Sequence, residues 1–233
     1  MDYLEFLIIF VGVPFLVLVF IGIRFRVLDG SITKGILLLC LIALFYTTPW
    51  DNYLIMRNVW SYPDGAVMGT LGYVPIEEYL FMILQTGLAG VLFALLCSKS
   101  DFGKLRFSPL GLIPAFLIGA LGVVFLLSEK GTYAGLILVW AFPPLALQWS
   151  VGVRVLTNSF SKWIVPWMAL TLYLCLADSY AISEGIWSLN PATRSGLDLG
   201  NLPIEEALFF ALTNLFVIQG LCLWQAWRGG VRP

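Results

Sequence analysis

The chain has 233 residues, of which 60% are hydrophobic and 12% charged, with no histidine and a net charge of −1. So little charge cannot cover a water-soluble domain of this size, and a near-neutral balance gives nucleic acid nothing to bind. The missing histidine excludes His-ligated haem, His-box iron chemistry and His acid catalysis.

Apolar runs occupy Tyr3–Ile23, Lys34–Thr48, Val74–Cys97, Leu110–Leu127, Thr132–Gln148, Trp163–Ala181 and Leu202–Trp227. A run of roughly 20 apolar residues matches the ~30 Å hydrocarbon core of a bilayer. The first run is flanked by Asp2 and Glu5 rather than by basic residues, and no small-residue cleavage site follows it. It therefore reads as a membrane helix, not a signal peptide. Clusters of Pro, Gly, Asp and Lys/Arg separate the runs, as turns between helices should. Cys40, Cys97, Cys175 and Cys222 all sit in apolar stretches without a C-x-x-C pair and read as small buried residues.

Loop charge predicts the orientation. Arg24, Arg26, Lys34, Lys99, Lys104, Arg106, Arg154, Lys162, Arg228 and Arg232 fall on one side. Only Arg57, Lys130 and Arg194 fall on the other. Ten against three places the N-terminus outside the cytoplasm and the C-terminus inside. The expectation is a multi-pass protein of the cell membrane.

The sequence repeats itself. Asp51-Asn52-Tyr53, Trp60-Ser61, Gly72 and Pro75-Ile76-Glu77-Glu78-Tyr79-Leu80-Phe81 recur as Asp178-Ser179-Tyr180, Trp187-Ser188, Gly200 and Pro203-Ile204-Glu205-Glu206-Ala207-Leu208-Phe209. The offset is 127 at the Asp and Trp and 128 at the acidic motif, so one residue has been inserted. The expected fold is an all-α integral membrane protein of seven transmembrane helices, with two parallel three-helix repeats joined by a spacer helix. Its units are residues 1–98, a spacer at 99–130 and residues 131–233. Corresponding helices lie an even number of spans apart, so both halves point the same way and both Glu pairs share one depth.

Carboxylates are favoured at a helix N-terminus by the dipole, and Pro75 and Pro203 suit the first helical turn. A soluble helix would need no further explanation. Here each Glu pair opens a long apolar span, where ionisable groups are costly and mark function. Helical spacing places Glu78 and Gln85 on one face, and likewise Glu206 and Thr213 beside Asn214, with Glu77 and Glu205 about 100° away. This polar stripe should face protein rather than lipid. Asp51 and Asp178 end the preceding helices on the same side, so six carboxyls converge where the halves meet. Around them lie Trp50, Tyr53, Trp60, Tyr62, Tyr79 and Phe81 in one half and Tyr180, Trp187, Phe209 and Phe210 in the other. An interfacial belt would have this composition. So would a site whose ring faces stabilise a cation. Acids and aromatic faces in lipid, with no metal or nucleotide motif, suit protonation of an alkene, carbocation cyclisation and proton loss. The same features fit a proton-coupled transporter. A retinal-binding seven-helix protein needs a lysine within a span, and every lysine here lies at an end or in a loop.

At these motifs the chain resembles the small membrane-bound lycopene cyclases, found as paired subunits, as fused chains and as the cyclase part of a fungal bifunctional protein. That family's pattern is Pro, any residue, Glu, then Glu or Asp, with Phe three residues on, and both copies satisfy it. The resemblance implies linear lycopene as substrate, β-ionone rings as product, no net redox change and no cofactor or metal. It implies catalytic roles for Glu77, Glu78, Glu205 and Glu206. Asp51, Asp178, Tyr53, Tyr180, Trp60, Trp187, Phe81 and Phe209 are the expected supporting residues. Helical geometry favours Glu78 and Glu206 as inward-facing, whereas the family pattern favours Glu77 and Glu205 and carries slightly more weight. A cyclase acting on another isoprenoid, or forming ε or γ rings, fits the same residues.

Overall fold

In hydrocarbon every backbone N–H and C=O must be satisfied within the protein, which leaves the helix as the natural element for these apolar runs. The computed structural model describes residues 1–63, 65–97 and 100–231 and is mostly helical. In chain order the helices are α1 (Tyr3–Arg24), α2 (Gly30–Met56), α3 (Ile76–Cys97), α4 (Leu112–Phe125), α5 (Thr132–Asn158), α6 (Phe160–Ser183) and α7 (Ile204–Val231). All but α4 are long and apolar enough to cross a membrane, and Pro109–Phe125 forms a shorter apolar segment. Large side chains such as Phe20, Phe45, Leu127 and Leu176 are bare on the outer face, as a lipid-bathed surface requires.

Local chemistry sets the helix ends. At α1, Asp2 accepts the Glu5 N–H and Glu5 returns the bond to the Asp2 N–H, a reciprocal cap. Asp29 caps α2 by accepting from Ser31 and Ile32. The C-terminal end of α2 differs from expectation. The apolar run stops at Thr48, yet the helix continues through Pro49, Asp51 and Asn52 to Met56. Those polar residues do not end the helix because Asp51 is buried inside the protein and Asn52 bonds the loop beyond it. Likewise α5 runs past Gln148 to Asn158, with Pro143 and Pro144 inside it. Pro75 and Pro203 stand one residue before their helices rather than in the first turn, because each still belongs to a strand.

Proline within a span displaces the carbonyl four residues earlier. Two of these carbonyls are claimed across the molecule. Pro144 frees the Trp140 carbonyl, which accepts from Tyr46 Oη of α2 at 2.7 Å. Pro14 frees the Phe10 carbonyl, beside the π-helical turn Ile8–Gly12, and it accepts from Tyr173 Oη of α6 at 2.7 Å. Tyr46 and Tyr173 are 127 residues apart, so each half reaches into the other in the same way.

Six short strands join the helices: β1 (Trp60–Ser61), β2 (Thr70–Leu71), β3 (Val74–Pro75), β4 (Ser188–Leu189), β5 (Asp198–Leu199) and β6 (Leu202–Pro203). β2–β3 and β5–β6 are two-residue hairpins that lead straight into α3 and α7. Gly72 and Gly200 take the first central turn position at φ +70° and +68°, as a type II′ turn requires. β1 pairs antiparallel with β4, so that Ser61 faces Ser188 with their Oγ atoms 3.2 Å apart. The two halves are thus stitched at equivalent residues above the helix ends.

Packing follows the same pattern. α3 lies against α1 and α2, and α7 against α5 and α6, while α3 meets α7 at the centre. One core cluster runs from Leu88 and Phe93 of α3 to Ile218 and Leu221 of α7, and another joins Trp50, Trp60, Tyr133 and Trp140. α4 packs mainly on α5, where glycines allow close approach: a Cβ on Gly122 would come within 3.0 Å of the Gly135 carbonyl oxygen. Lys99 and Arg232, which entered the loop-charge comparison, lie outside the described residues.

Candidate active site

The acidic motifs open α3 and α7 immediately after their hairpins, so the turn geometry aims the first helical carboxyls. The two glutamates of each pair separate. Glu77 is fully buried and accepts from the Met68 N–H at 2.7 Å, and Glu205 accepts from the Ser195 N–H at 2.7 Å. Each therefore ties down the loop that precedes its own hairpin, and the other oxygen of each is buried without a partner among the described residues. Glu78 and Glu206 point the other way, into a cavity of about 60 Å³. Although the family pattern gave the first glutamates more weight, helical geometry describes the orientation seen here.

Half of the sixteen residues lining this chamber precede residue 98 and half follow residue 131. Four are carboxylic: Asp51 and Glu78 from one half, Asp178 and Glu206 from the other. Asp51 and Asp178 are each 3% exposed and each stands five residues before its helix end, 56 − 51 and 183 − 178. Burying four such groups at membrane depth costs about 2.5–3.5 kcal/mol for each charged one by insertion scales, so each is held by specific partners or used.

The partners are aromatic. Tyr133 Oη donates to Glu206 at 2.7 Å, and Tyr62 Oη donates to Glu78. Burial, together with the adjacent Glu78 charge, holds the Tyr62 phenol well above its usual pKa, so it remains a donor. Trp187 Nε1 donates to Asp178 at 3.1 Å. Its counterpart Trp60 has a buried Nε1–H with no partner among the described residues, so the equivalent clasp on Asp51 is not formed there. Ring faces complete the wall. Tyr3 stacks on Tyr62 at 5.7 Å, and Trp50 stacks on Trp140 at 4.8 Å and on Phe209 at 5.8 Å. Phe81 meets Phe210 edge to face across the α3–α7 contact. Behind them, Gln85 Nε2 donates to Thr213 Oγ1 and Asn214 Oδ1, which closes the polar stripe within the protein.

Of the expected supporting residues, Asp51, Asp178, Trp60, Trp187, Phe81 and Phe209 line the chamber. Tyr53 and Tyr180 do not: they are 41% and 38% exposed, because each lies two residues after its aspartate and so about 200° round the helix. Tyr133 and Tyr3 were missed as site residues. Each begins an apolar span, where tyrosine reads as an interfacial anchor, and nothing linear links Tyr133 to a glutamate 73 residues away.

Fold and site together define a multi-pass membrane protein with a buried, aromatic-walled acidic chamber. The lycopene cyclase family model matches residues 2–96 and 130–221, and the chain belongs to that family. It is 44% identical to the lycopene beta-cyclases of two strains of Halobacterium salinarum, over 97% of this chain and 96% of theirs. It is 39% identical to a bifunctional lycopene cyclase/phytoene synthase of Leptosphaeria maculans, over 77% of this chain and 34% of that protein. No solved structure matches the chain.

Proposed function

We propose that this chain is a lycopene cyclase that converts linear carotene ends into β-ionone rings, an isomerase needing no flavin or nicotinamide. The observation that carries the proposal is the chamber itself: four carboxyls, two from each half, on one apolar wall of ring faces. Family membership and the names of its full-length relatives support lycopene as substrate.

The chemistry balances with protons alone. A neutral carboxyl protonates the terminal alkene, leaving a tertiary cation. The next double bond attacks it, closing a six-membered ring and moving the cation onto the ring. A carboxylate then removes a ring proton, and the new double bond forms. One carboxyl must start neutral and another ionised, a separation that burial and like-charge neighbours favour. After turnover the proton has moved from acid to base, and both lie in one chamber through which it can return. The rings of Phe81, Phe209 and Phe210 offer the cation a negative π surface. Glu78 and Glu206 act at the chamber wall with Asp51 and Asp178, while Glu77 and Glu205 hold the loops that roof it.

The proposed architecture is two three-helix repeats, α1–α3 and α5–α7, related by a two-fold axis along the membrane normal, with α4 as spacer. The Ser61–Ser188 contact, the paired Tyr46 and Tyr173 clasps and the matched loop ties of Glu77 and Glu205 support it. The gap between the two segments that match the family supports the spacer. The bias in basic residues supports an extracytoplasmic chamber. The test is expression in lycopene-accumulating cells, with pigment analysis of the membranes. A cyclic carotene formed without added cofactor is expected. Unchanged lycopene beside folded protein would overturn the proposal.

A further inference from the structure

A second cavity, about 310 Å³, adjoins the chamber and shares Asp51, Glu78, Phe81 and Phe209 with it. It runs as a groove between α2, α3, α5 and α7 and opens beside Ile42 and Leu147, which are 50% and 66% exposed. Along α2 it extends from Asp51 to Leu39, twelve residues or ~18 Å of helix. Away from Asp51 and Glu78 its polar side chains include Tyr46, Thr47, Gln85, Thr86, Gln148 and Thr213. There Gln85 is bonded to Thr213 and Asn214, and Gln148 Nε2 to the Phe216 carbonyl, so these donors are already engaged.

Two of the groove's positions on α2 carry larger, buried side chains in the other half. On α2 the groove is lined by Ala43 and Thr47, and the residues 127 further on are Leu170 and Leu174. Both leucines are packed in the core, 3% and 2% exposed. At these two positions the groove carries the smaller side chain and its counterpart a packed leucine.

We propose that this groove is the seat of the polyene chain and the single route by which a carotene end reaches the carboxyls. The proposal rests on the cyclase reading above. An extended C40 chain is comparable in length to the ~30 Å hydrocarbon core, so ~18 Å of groove holds about half of it while the remainder lies in lipid. With one mouth, the two ends of a substrate are cyclised in succession, the molecule leaving and turning between them. Asp51 and Glu78 stand at the junction of groove and chamber, and Asp178 and Glu206 line the chamber but not the groove. The terminal double bond therefore travels furthest, and the inner ring carbon that loses its proton stops nearer the junction.

The test places those two leucines in the groove. Ala43→Leu with Thr47→Leu copies the packing of Leu170 and Leu174, and should lower conversion of lycopene by about tenfold or more through lost binding of the remote chain. Leu172→Trp, on the outward face of α6, should leave conversion unchanged. A second measurement does not depend on activity or on refolding a crowded helix. With Cys40 and Cys175 replaced by alanine, Ala43→Cys and Leu172→Cys proteins are purified and alkylated with and without lycopene. Lycopene at ten times its dissociation constant should slow alkylation at position 43 by about tenfold and leave position 172 alone. Equal rates at position 43 with and without lycopene would overturn the groove, as would equal protection by phospholipid alone. Protection at position 43 in a protein that forms no cyclic carotene would keep the groove and overturn the cyclase reading instead.

Discussion

Tyr133→Phe isolates one contact of the chamber. Tyr133 is 1% exposed and its hydroxyl donates to Glu206, which is 7% exposed, at 2.7 Å. The ring packs edge to face on Trp60 at 5.6 Å, and phenylalanine keeps that contact. Only the hydroxyl is lost, and with it the donor that fixes Glu206 at the chamber wall. A hydrogen bond to a charged group contributes about 1.5–3 kcal/mol, and a buried acceptor left unpaired costs a similar amount. If Glu206 must be held in one orientation while a proton moves, that energy is lost from the transition state. At about 1.4 kcal/mol per decade the rate should fall roughly ten- to hundredfold. The assay is the initial rate of lycopene consumption in membranes holding matched amounts of folded protein. A rate within about twofold of the parent would show that the Tyr133 bond neither orients Glu206 nor contributes to turnover, and would refute the reasoning.

Glu77→Gln should behave differently from a chamber substitution. Its amide oxygen can still accept from Met68, but its amino group must occupy the buried, partnerless site of the second oxygen. Stability should fall by about 1–3 kcal/mol, read as an earlier thermal transition in detergent, with most activity kept per folded molecule. Gly72→Ala and Gly200→Ala both strain a positive φ at a cost of about 1–2 kcal/mol. Only at Gly72 would the new Cβ overlap Asn52 Oδ1, which holds the Tyr73 N–H, so thermal unfolding should rank Gly72→Ala as the more damaging. Met68→Cys, at a position 61% exposed, should react with membrane-impermeant thiol reagents from outside intact cells. Reaction from the cytoplasmic side alone would invert the proposed orientation.

Hydrophobic runs placed the helices in the sequence because lipid enforces a minimum apolar length, and that constraint is local. Helix ends were harder to read. α2 passes through Asp51 because the aspartate is buried against the other half, a tertiary fact with no local signature. The sequence repeat was legible because turn glycines, loop tryptophans and paired acids recur in order. The orientation of each Glu pair followed from the 100° helical step, and Glu78 and Glu206 lie where that step puts them. Tyr133 was not legible because its partner is supplied by another helix. Nor was the open groove, which depends on Ala43 and Thr47 being smaller than Leu170 and Leu174. That difference has meaning only once the groove has been located between the helices.

The central claim is one site built by both halves, and the most direct measurement is the pigment composition made by Glu78→Gln, by Glu206→Gln and by the double variant at matched protein level. Glutamine keeps the shape of glutamate but can neither donate a carboxyl proton nor accept one as a carboxylate. For a shared chamber, each single variant should lose on the order of 10²-fold or more, and the double should be little worse than either. Two single variants that each keep near half of the parent activity, with loss only in the double, would contradict the shared chamber and establish two independent sites.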